Sequence, residues 1–374
     1  CCYGLYAPVN AEYLHSLGVT TILGGEFEDE LRRLALRLAD AQGAHAESLI
    51  SLERVHFEVP DRSGLPVLNR YAKMFDGATE RITGYTESSR GCKHLCRHCP
   101  VVPVYQGKFR IVPPDIVLGD IRQQVEAGAQ HITFGDPDFL NGPTHGMRIV
   151  EGMHREFPSL TYDVTIKIEH LLKRRDLLPE LRRTGCLLVT SAVESVDDEV
   201  LRKLDKGHTK ADFLEVVRLF RENRLHLSPT FIPFTPWTTR ESYRELLRVL
   251  AEANLVHQVA PVQLALRLLI PAGSRLLELE EIRDLVDGFQ PDALAHQWRH
   301  PEPAIDDLAE RLLRLVHSEQ TRGASRAECF AAIWREAFAD EPLPPMASGQ
   351  EPAPQLSEPW YCCAEPMPER AAKI

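Results

Sequence analysis

The sequence has no uninterrupted apolar run of about 18 residues, so it does not predict a membrane-spanning helix. It also lacks an excess of basic residues, since 54 acidic and 43 basic side chains give a formal net charge of −11. This balance disfavours a nucleic-acid partner, because phosphate binding needs a basic surface. No internal repeat is visible. The chain begins with CCYGLYAPVN and not with Met, so we expect a fragment or a processed form whose targeting signal is not visible.

The sequence contains nine cysteines, an odd number that does not suit a framework of paired disulfides. Seven of them are grouped at both ends of the chain and in one short segment. In a chain of 374 residues, which is long enough for a large core, such groups favour metal or redox chemistry in a reducing compartment. We therefore expect a cytoplasmic protein. The cysteines are Cys1, Cys2, Cys92, Cys96, Cys99, Cys186, Cys329, Cys362 and Cys363.

Short apolar strands alternate with helical patterns between residues 83 and 280. Six such steps with nearly continuous apolar strands predict a parallel sheet, covered on its faces and curled into a partial (β/α)6 TIM-like barrel. The predicted fold class is therefore α/β. Residues 1–59 resemble the end of an α/β unit, and residues 60–82 are predicted to be a linker. After the barrel we expect a helical extension over 281–340 and a proline-rich tail over 341–374.

The segment SSRGCKHLCRHCP (88–100) places Cys92, Cys96 and Cys99 in one loop. Three unrelated buried thiols would not be grouped beside Lys, Arg and His. A structural zinc site could use the three thiolates with His94 or His98, but zinc ligands usually come in two pairs separated by a dozen or more residues. A [4Fe–4S] cluster uses four thiolates, so three would leave one iron with an open position for a substrate or cosubstrate.

The spacing C-x3-C-x2-C at the end of a first barrel strand resembles the signature of radical S-adenosylmethionine (SAM) enzymes. The resemblance covers roughly residues 80–280. It implies a [4Fe–4S] cluster held by Cys92, Cys96 and Cys99, with SAM chelating the open iron through its amino and carboxylate groups. It also implies that an electron from the reduced cluster cleaves a C–S bond of SAM.

Other segments of the sequence are similar to SAM-binding parts of the same family. ITFGDPDFLN (132–141) resembles the second-strand segment, which implies contacts from Gly135 and Asp136. LLVTSAVESVDDEVLRKLDKGHT (187–209) resembles the fourth-strand segment, where Ser191 and Glu194 would face SAM. The residue before the third cysteine is usually an aromatic residue that packs on the adenine, and it is replaced here by His98, whose imidazole can still stack.

Each of these polar residues also has a simpler explanation. Asp136 in GDPD could be a turn residue that caps a helix, and Glu194 could be a solvated cap. Arg267 lies in QLALRLLIPAGSRLLE, which resembles the sixth strand, so a buried arginine there could bind the SAM carboxylate or form a salt bridge. Lys167 and Glu169 alternate with apolar residues on the predicted third strand, so both could point into the barrel or pair with each other.

The two ends of the chain carry further resemblances. CCAEP (362–366) resembles the tail of the radical SAM family described by CUAEP or CCAEP, where U is selenocysteine; Cys363 occupies that position. Adjacent thiols suit redox exchange or a soft element, and we predict that Cys362 and Cys363 act in catalysis. The strand ending in GGEFE resembles the last strand of a cobalamin-binding-like domain, and whether cobalamin binds stays open.

Two classes of function follow from these observations. The first is a radical SAM enzyme that acts on a small molecule or a soft element and takes electrons from a donor such as flavodoxin or ferredoxin. One specific version resembles the radical SAM step of arsinothricin biosynthesis, which transfers a 3-amino-3-carboxypropyl group to arsenite; another version modifies a small peptide or metabolite. The second class is a non-enzymatic iron–sulfur or zinc module that senses metal or redox state. Nucleic acid and membrane are not expected partners.

Overall fold

The computed structural model describes residues 1–39, 48–338, 341–345 and 353–358. Its N-terminal part is a small parallel sheet in the order β1-β2-β3, with two helices. Gly25 ends the predicted strand with φ 71°, and a Cβ atom there would lie 2.2 Å from the Ser51 carbonyl oxygen, so this close strand pairing requires glycine. The elements are β1 Cys2–Tyr3, α1 Ala11–Ser16, β2 Ile22–Gly25, α2 Glu28–Ala39 and β3 Ile50–Ser51.

The central sheet has seven strands. They are numbered along the chain, with the bounds given at the end of this paragraph, and their order across the sheet is β11-β10-β9-β8-β5-β4-β14. Five of them, β5, β8, β9, β10 and β11, run parallel and follow each other along the chain. The bounds are β4 Lys73–Asp76, β5 Thr79–Thr86, β6 Ser89–Gly91, β7 Phe109–Ile111, β8 His131–Phe134, β9 Thr161–Thr165, β10 Cys186–Glu194, β11 His226–Phe231, β12 Val286–Gln290, β13 Ala295–Trp298 and β14 Gln355–Leu356.

The prediction of a sixth strand, which would contain Arg267, is wrong over most of its length. Residues 261–264 form a 3-10 helix that begins at Pro261, which has no backbone N–H to donate to a sheet. Only one parallel bridge, between Phe234 and Arg267, remains at the sixth position. The partial barrel is therefore confirmed as five parallel strands closed by a single bridge.

The edge of the sheet at β4 contains two segments that were not predicted to be strands. The predicted linker 60–82 contributes β4 and the start of β5, which pair antiparallel. A described piece of the proline-rich tail, β14, pairs antiparallel with β4 and so covers the sheet edge. An extended edge strand offers unpaired backbone groups, and the tail segment satisfies them.

Helices pack around the sheet through buried apolar faces. Thr209 and Thr239 each form a capping box, which fixes the start of two of these helices. No helix in the described ranges is long and apolar enough to cross a membrane. The helices are α3 Val102–Tyr105, α4 Pro114–Glu126, α5 Pro143–Glu156, α6 Ile168–Lys173, α7 Leu178–Arg183, α8 Asp198–Leu204, α9 Lys210–Glu222, α10 Arg240–Glu252, α11 Glu280–Arg283, α12 Pro303–Thr321 and α13 Arg326–Phe338.

The predicted helical extension is only partly helical. Its second half is helical, as α12 and α13, but β12 and β13 form an antiparallel hairpin in the first half. Trp298 at the end of this hairpin is buried, and its Nε1–H donates to the Leu268 carbonyl (2.8 Å). The hairpin therefore packs on the sixth position of the barrel, where a tertiary contact outweighs the local helical pattern.

Candidate active site

The cysteine loop lies between two short strands at the carboxyl end of the first parallel strand. β6 precedes the loop and pairs antiparallel with β7, which follows it. Gly91, directly before the first cysteine, has φ 72°, and a Cβ atom there would lie 2.5 Å from both the Lys108 carbonyl oxygen and the Tyr105 ring. Only glycine permits this turn, which brings Cys92 over the end of the sheet.

The three thiols Cys92, Cys96 and Cys99 line one cavity of about 500 Å³. The cavity lies at the carboxyl ends of the strands, where barrel enzymes carry their active sites. Of the other predicted residues, His98, Gly135 and Glu194 also line it. Further lining residues come from the N-terminal sheet and from loops after the third and fourth parallel strands, namely Leu5, Tyr6, Gly25, Phe27, Lys167 and Lys206.

Glu194 is the central charged residue of this cavity. It has φ 69° at a register shift of β10, and its side chain is 5% exposed. Its Oε1 lies 3.1 Å from His98 Nε2 and 3.3 Å from Lys206 Nζ. Burial opposes ionisation of this carboxyl most strongly, but the Lys206 charge and the His98 hydrogen bond outweigh it and lower the pKa of Glu194 to about 2.

The structure thus gives His98 a different partner from the one expected. Its ring is buried and contacts the Glu194 carboxylate, whereas the sequence predicted stacking on adenine. Lys206 is a site residue that the sequence analysis missed. It lies in the string DKGHT, which was part of the resemblance, but nothing in the spacing indicates that it turns back toward Glu194.

A second lysine lies next to the cysteine loop. β9 ends at Thr165, so Lys167 and Glu169 are not on a strand as predicted; Lys167 precedes α6 and Glu169 lies inside it. Lys167 Nζ is 3.8 Å from Cys96 Sγ and 3.4 Å from Glu169 Oε2. Both expectations for Lys167 therefore hold, because it faces the cavity and also pairs with Glu169.

Burial favours the protonated thiols of Cys92 and Cys96 when no metal is bound. Burial raises the pKa of Cys92 to about 11. Burial also raises the pKa of Cys96, although the charges of Lys206 and Lys167 oppose this effect. A metal centre would displace these protons, because thiolates are the ligands. The two lysines lie where they would stabilise the resulting negative charge.

Asp136 lies behind the cysteine cavity and does not line it. The fully buried carboxylate accepts hydrogen bonds from the Ser88 N–H (2.9 Å), the Ser88 hydroxyl (2.7 Å) and the Ser89 hydroxyl (2.5 Å). Burial raises its pKa to about 6 despite these bonds. Its contacts hold the segment before the cysteine loop, which agrees with a structural role, and the predicted contact with SAM stays a prediction. Gly135 does line the cavity, and a Cβ atom there would lie 1.7 Å from the Tyr85 hydroxyl.

Ser191 and Arg267 do not line the cavity either. Side chains alternate along β10, so Ser191 shares the helix-covered face of Val189 and Val193, and its buried Oγ has no hydrogen-bond partner among the described residues. Arg267 pairs with Asp306 of α12, donates to the Trp298 carbonyl (3.0 Å) and stacks over the Trp298 ring. The salt-bridge alternative therefore explains Arg267.

A second cavity of about 830 Å³ lies beside the first and shares Gly135 and Thr165 with it. Its wall includes Asp163, whose Oδ1 accepts from the Thr133 hydroxyl (2.6 Å) and lies 2.9 Å from His131 Nε2. Leu356 and Glu358 of the tail also line it. Cys362 and Cys363 themselves lie outside the described residues.

The chain has clear similarity to known proteins over this region. Residues 86–250 match the family model "Radical SAM superfamily". The chain is similar to a tRNA-2-methylthio-N(6)-dimethylallyladenosine synthase of Haemophilus influenzae (strain PittEE), with 25% identity over 207 residues, 50% of this chain and 42% of that protein. It is also similar to the ribosomal protein uS12 methylthiotransferase RimO of Alteromonas mediterranea, with 27% identity over 254 residues, 63% of this chain and 52% of that protein. The chain thus spans about half the length of these relatives.

Two solved structures share the fold. TsrM, a radical S-adenosylmethionine methyltransferase from Kitasatospora setae solved with tryptophan and a SAM analogue, superposes with a TM-score of 0.58 at 17% identity, over 75% of this chain and 57% of that chain. The cobalamin-dependent radical SAM enzyme OxsB gives a TM-score of 0.55 at 15% identity, over 63% and 41%. These likenesses show the fold alone.

The family match over residues 86–250 agrees with the predicted radical SAM domain, which implies a [4Fe–4S] cluster and SAM. The residues present fit these groups. Three thiols, one buried and two half-buried, share one cavity with two lysines and an ionised carboxylate, and no other cysteine in the described part of the chain lines it. Three thiolates leave one iron of such a cluster without a protein ligand.

Proposed function

We propose that this chain, which contains a Radical SAM superfamily domain over residues 86–250, is an enzyme that binds a [4Fe–4S] cluster through Cys92, Cys96 and Cys99 and cleaves SAM reductively. The observation that carries the proposal is the cavity itself. It joins the three thiols to Glu194, Lys206 and Lys167 at the carboxyl ends of the parallel strands. A metal-sensing module would have no use for a buried charged pair beside its thiols, so the enzyme is favoured.

When bound, the cluster and SAM supply a one-electron reduction that cleaves a carbon–sulfur bond of the sulfonium. The chain's own residues would prepare the cavity for this. Glu194 is held ionised by Lys206, so it can accept hydrogen bonds from amino or hydroxyl groups of SAM. Lys167 and Lys206 offset negative charge near Cys96. Gly135 lines the same cavity, and its lack of a side chain leaves room for the Tyr85 hydroxyl.

We assign the substrate to the second cavity. Gly135 and Thr165 line both cavities, so a molecule bound here would lie next to the cysteine cavity. Its size suits a small molecule. Asp163 and Thr133 offer polar contacts on a wall that is otherwise largely apolar. The net charge of −11 does not favour the nucleic-acid substrate of the tRNA-modifying relatives. A small electron-transfer protein such as flavodoxin or ferredoxin would supply the electron.

The CCAEP tail suggests a more specific reaction. β14 attaches the tail to the sheet edge, and Glu358 of the tail lines the second cavity. Cys362 follows Glu358 by only a few residues in the sequence. An extended chain spans about 3.3–3.6 Å per residue, which leaves the two thiols within reach of the mouth of that cavity. Two adjacent thiols can hold a soft element such as trivalent arsenic. In this version the tail presents arsenite. The bond between sulfur and the 3-amino-3-carboxypropyl group of SAM would break and release methylthioadenosine, a carbon–arsenic bond would form, and arsenic would pass from the trivalent to the pentavalent state by giving up one electron, which balances the electron used for the cleavage.

The test is anaerobic reconstitution of the full chain, followed by iron and sulfide analysis and product analysis with SAM and a reductant. We expect brown protein with about four irons per chain. Methylthioadenosine would indicate aminocarboxypropyl transfer, and 5′-deoxyadenosine would indicate hydrogen abstraction. A colourless protein that carries zinc on the same cysteines, with no SAM cleavage, would refute the enzyme and support the sensing module.

A further inference from the structure

A group of three metal-ligating side chains lies next to the cysteine loop but contains no cysteine. It consists of His94 from the loop, Asp138 from the segment after β8, and His170 of α6. Each residue offers one ligand atom, and these atoms all lie within 4.8 Å of one another. His94 Nε2 is 3.3 Å from His170 Nε2 and 3.7 Å from Asp138 Oδ2, and His170 Nδ1 is 2.7 Å from Asp138 Oδ2.

The protein alone does not satisfy the polar atoms of this group. The Asp138 side chain is fully buried, and its Oδ1 accepts the Leu140 N–H (3.2 Å). Its Oδ2 has no hydrogen-bond partner, and neither does the buried Nδ1 of His170, although the two atoms are close. The 2.7 Å contact between them is not aligned as a hydrogen bond. A buried carboxylate oxygen that no aligned donor satisfies is costly, and a cation held between this oxygen and the two imidazoles would satisfy it.

We propose that His94, Asp138 and His170 bind a divalent first-row transition-metal ion at a site separate from the three thiols. Two imidazoles and one carboxylate are a common ligand set for such ions and leave coordination positions open. His94 lines the cysteine cavity, so an open position would face that cavity. Glu169 Oε2 lies 3.6 Å from His94 Nδ1, where it can orient this imidazole as an outer partner.

The ion would have two consequences for the site. It would add a link between the cysteine loop, α6 and the segment after β8, where Lys93 of the loop already donates to the Asn141 carbonyl (2.6 Å). It would also place a positive charge beside the cavity, where it could bind an oxygen or nitrogen atom of the substrate. The site uses no thiolate, so it does not depend on the cluster.

The test is zinc binding to cluster-loaded full chain, with the thiols of the loop already occupied by iron. All proteins carry Cys362→Ser and Cys363→Ser so that the tail does not compete. After treatment with Zn²⁺ and desalting, the parent should keep about one zinc per chain. The variants His170→Ala and Asp138→Asn should bind zinc at this site at least tenfold more weakly than the parent. Asp138→Asn keeps the shape and the acceptor for Leu140. His154→Ala, a half-buried histidine on α5, is the matched control and should bind as the parent does.

Iron content and circular dichroism show that each variant keeps its cluster and fold, so loss of zinc is separated from unfolding. Zinc X-ray absorption should show nitrogen and oxygen ligands at about 2.0–2.1 Å and no sulfur at about 2.3 Å. Equal zinc binding by the parent and both site variants, or a sulfur shell, would overturn the proposal. Failure of the cluster to load would be seen in the iron analysis and would count against the proposed function alone.

Discussion

The two neighbouring cavities each have a buried carboxylate, and the two carboxylates behave differently. Glu194 faces the cysteine cavity, where Lys206 outweighs the effect of burial and holds its pKa at about 2. Asp136 lines the second cavity, where its partners are the hydroxyls and N–H of Ser88 and Ser89, and burial raises its pKa to about 6. Both are acidic residues near strand ends, yet one is an ionised carboxylate that lines the cysteine cavity and the other holds a loop. A nearby cation, and not burial alone, makes the difference.

The largest expected effect is on the cysteine cavity. Replacing Cys92, Cys96 or Cys99 with Ala should abolish both the cluster and SAM cleavage, because two thiolates hold a cluster poorly. Iron and sulfide analysis after reconstitution measures this. Cys329→Ala, which removes a buried thiol far from the loop in sequence, is the control and should keep the cluster. A full iron complement in any loop variant would contradict the assignment.

The second-largest effect is expected for the tail thiols, which we propose to act at the second cavity. Cys362→Ser combined with Cys363→Ser should leave the cluster and uncoupled SAM cleavage intact but abolish product, because a hydroxyl lacks the low pKa and the affinity for soft elements of a thiol. Single-turnover product analysis beside adenosine-product measurement gives both readouts. Turnover at the parent rate would exclude the tail from the mechanism. Cys362→Ser alone should have a smaller effect than Cys363→Ser.

A smaller effect, on SAM binding, is expected for Glu194, which pairs with Lys206. Glu194→Ala should leave the cluster intact and weaken SAM binding by about ten- to a hundred-fold, since a charge-assisted hydrogen bond contributes about 1.5–3 kcal/mol. Arg267→Ala is the matched control, because Arg267 pairs with Asp306 and does not line the cavity. Equilibrium binding of SAM to reconstituted protein is the measurement. Weaker binding in Arg267→Ala alone would reverse the assignment of the two residues.

The smallest effect concerns Asp136 itself. Asp136→Asn should lower the free energy of unfolding by about 1–3 kcal/mol, because one of the Ser88 and Ser89 donors loses its acceptor. SAM affinity measured on the folded, cluster-loaded variant should stay within a few-fold of the parent. Urea denaturation and SAM titration test the two statements separately. A hundred-fold loss of SAM affinity with unchanged stability would place Asp136 in the cosubstrate site after all.

Local features of the sequence determined much of this protein. The cysteine loop could be predicted because its three thiols lie close together along the chain, and their spacing is itself the chemical signal. The five parallel strands could be predicted because each is a short segment with buried apolar residues that lies between helical patterns. The same reasoning fails where a residue's partner lies far away in the sequence. Nothing in the local pattern around Arg267 indicates Asp306, and Pro261 cannot by itself predict that a whole strand shrinks to one bridge.

Only the tertiary structure decided which polar side chains meet. Lys206 turns back toward Glu194 after a helix, and His94, Asp138 and His170 come together from three separate segments. Such contacts depend on how elements pack, which side-chain periodicity does not specify. Ser191 illustrates the limit, since shifting one position along β10 exchanges a cavity-facing side chain for one that packs against the helices. The sequence therefore determined the cofactor chemistry, and the packing of the barrel decided which charges surround it.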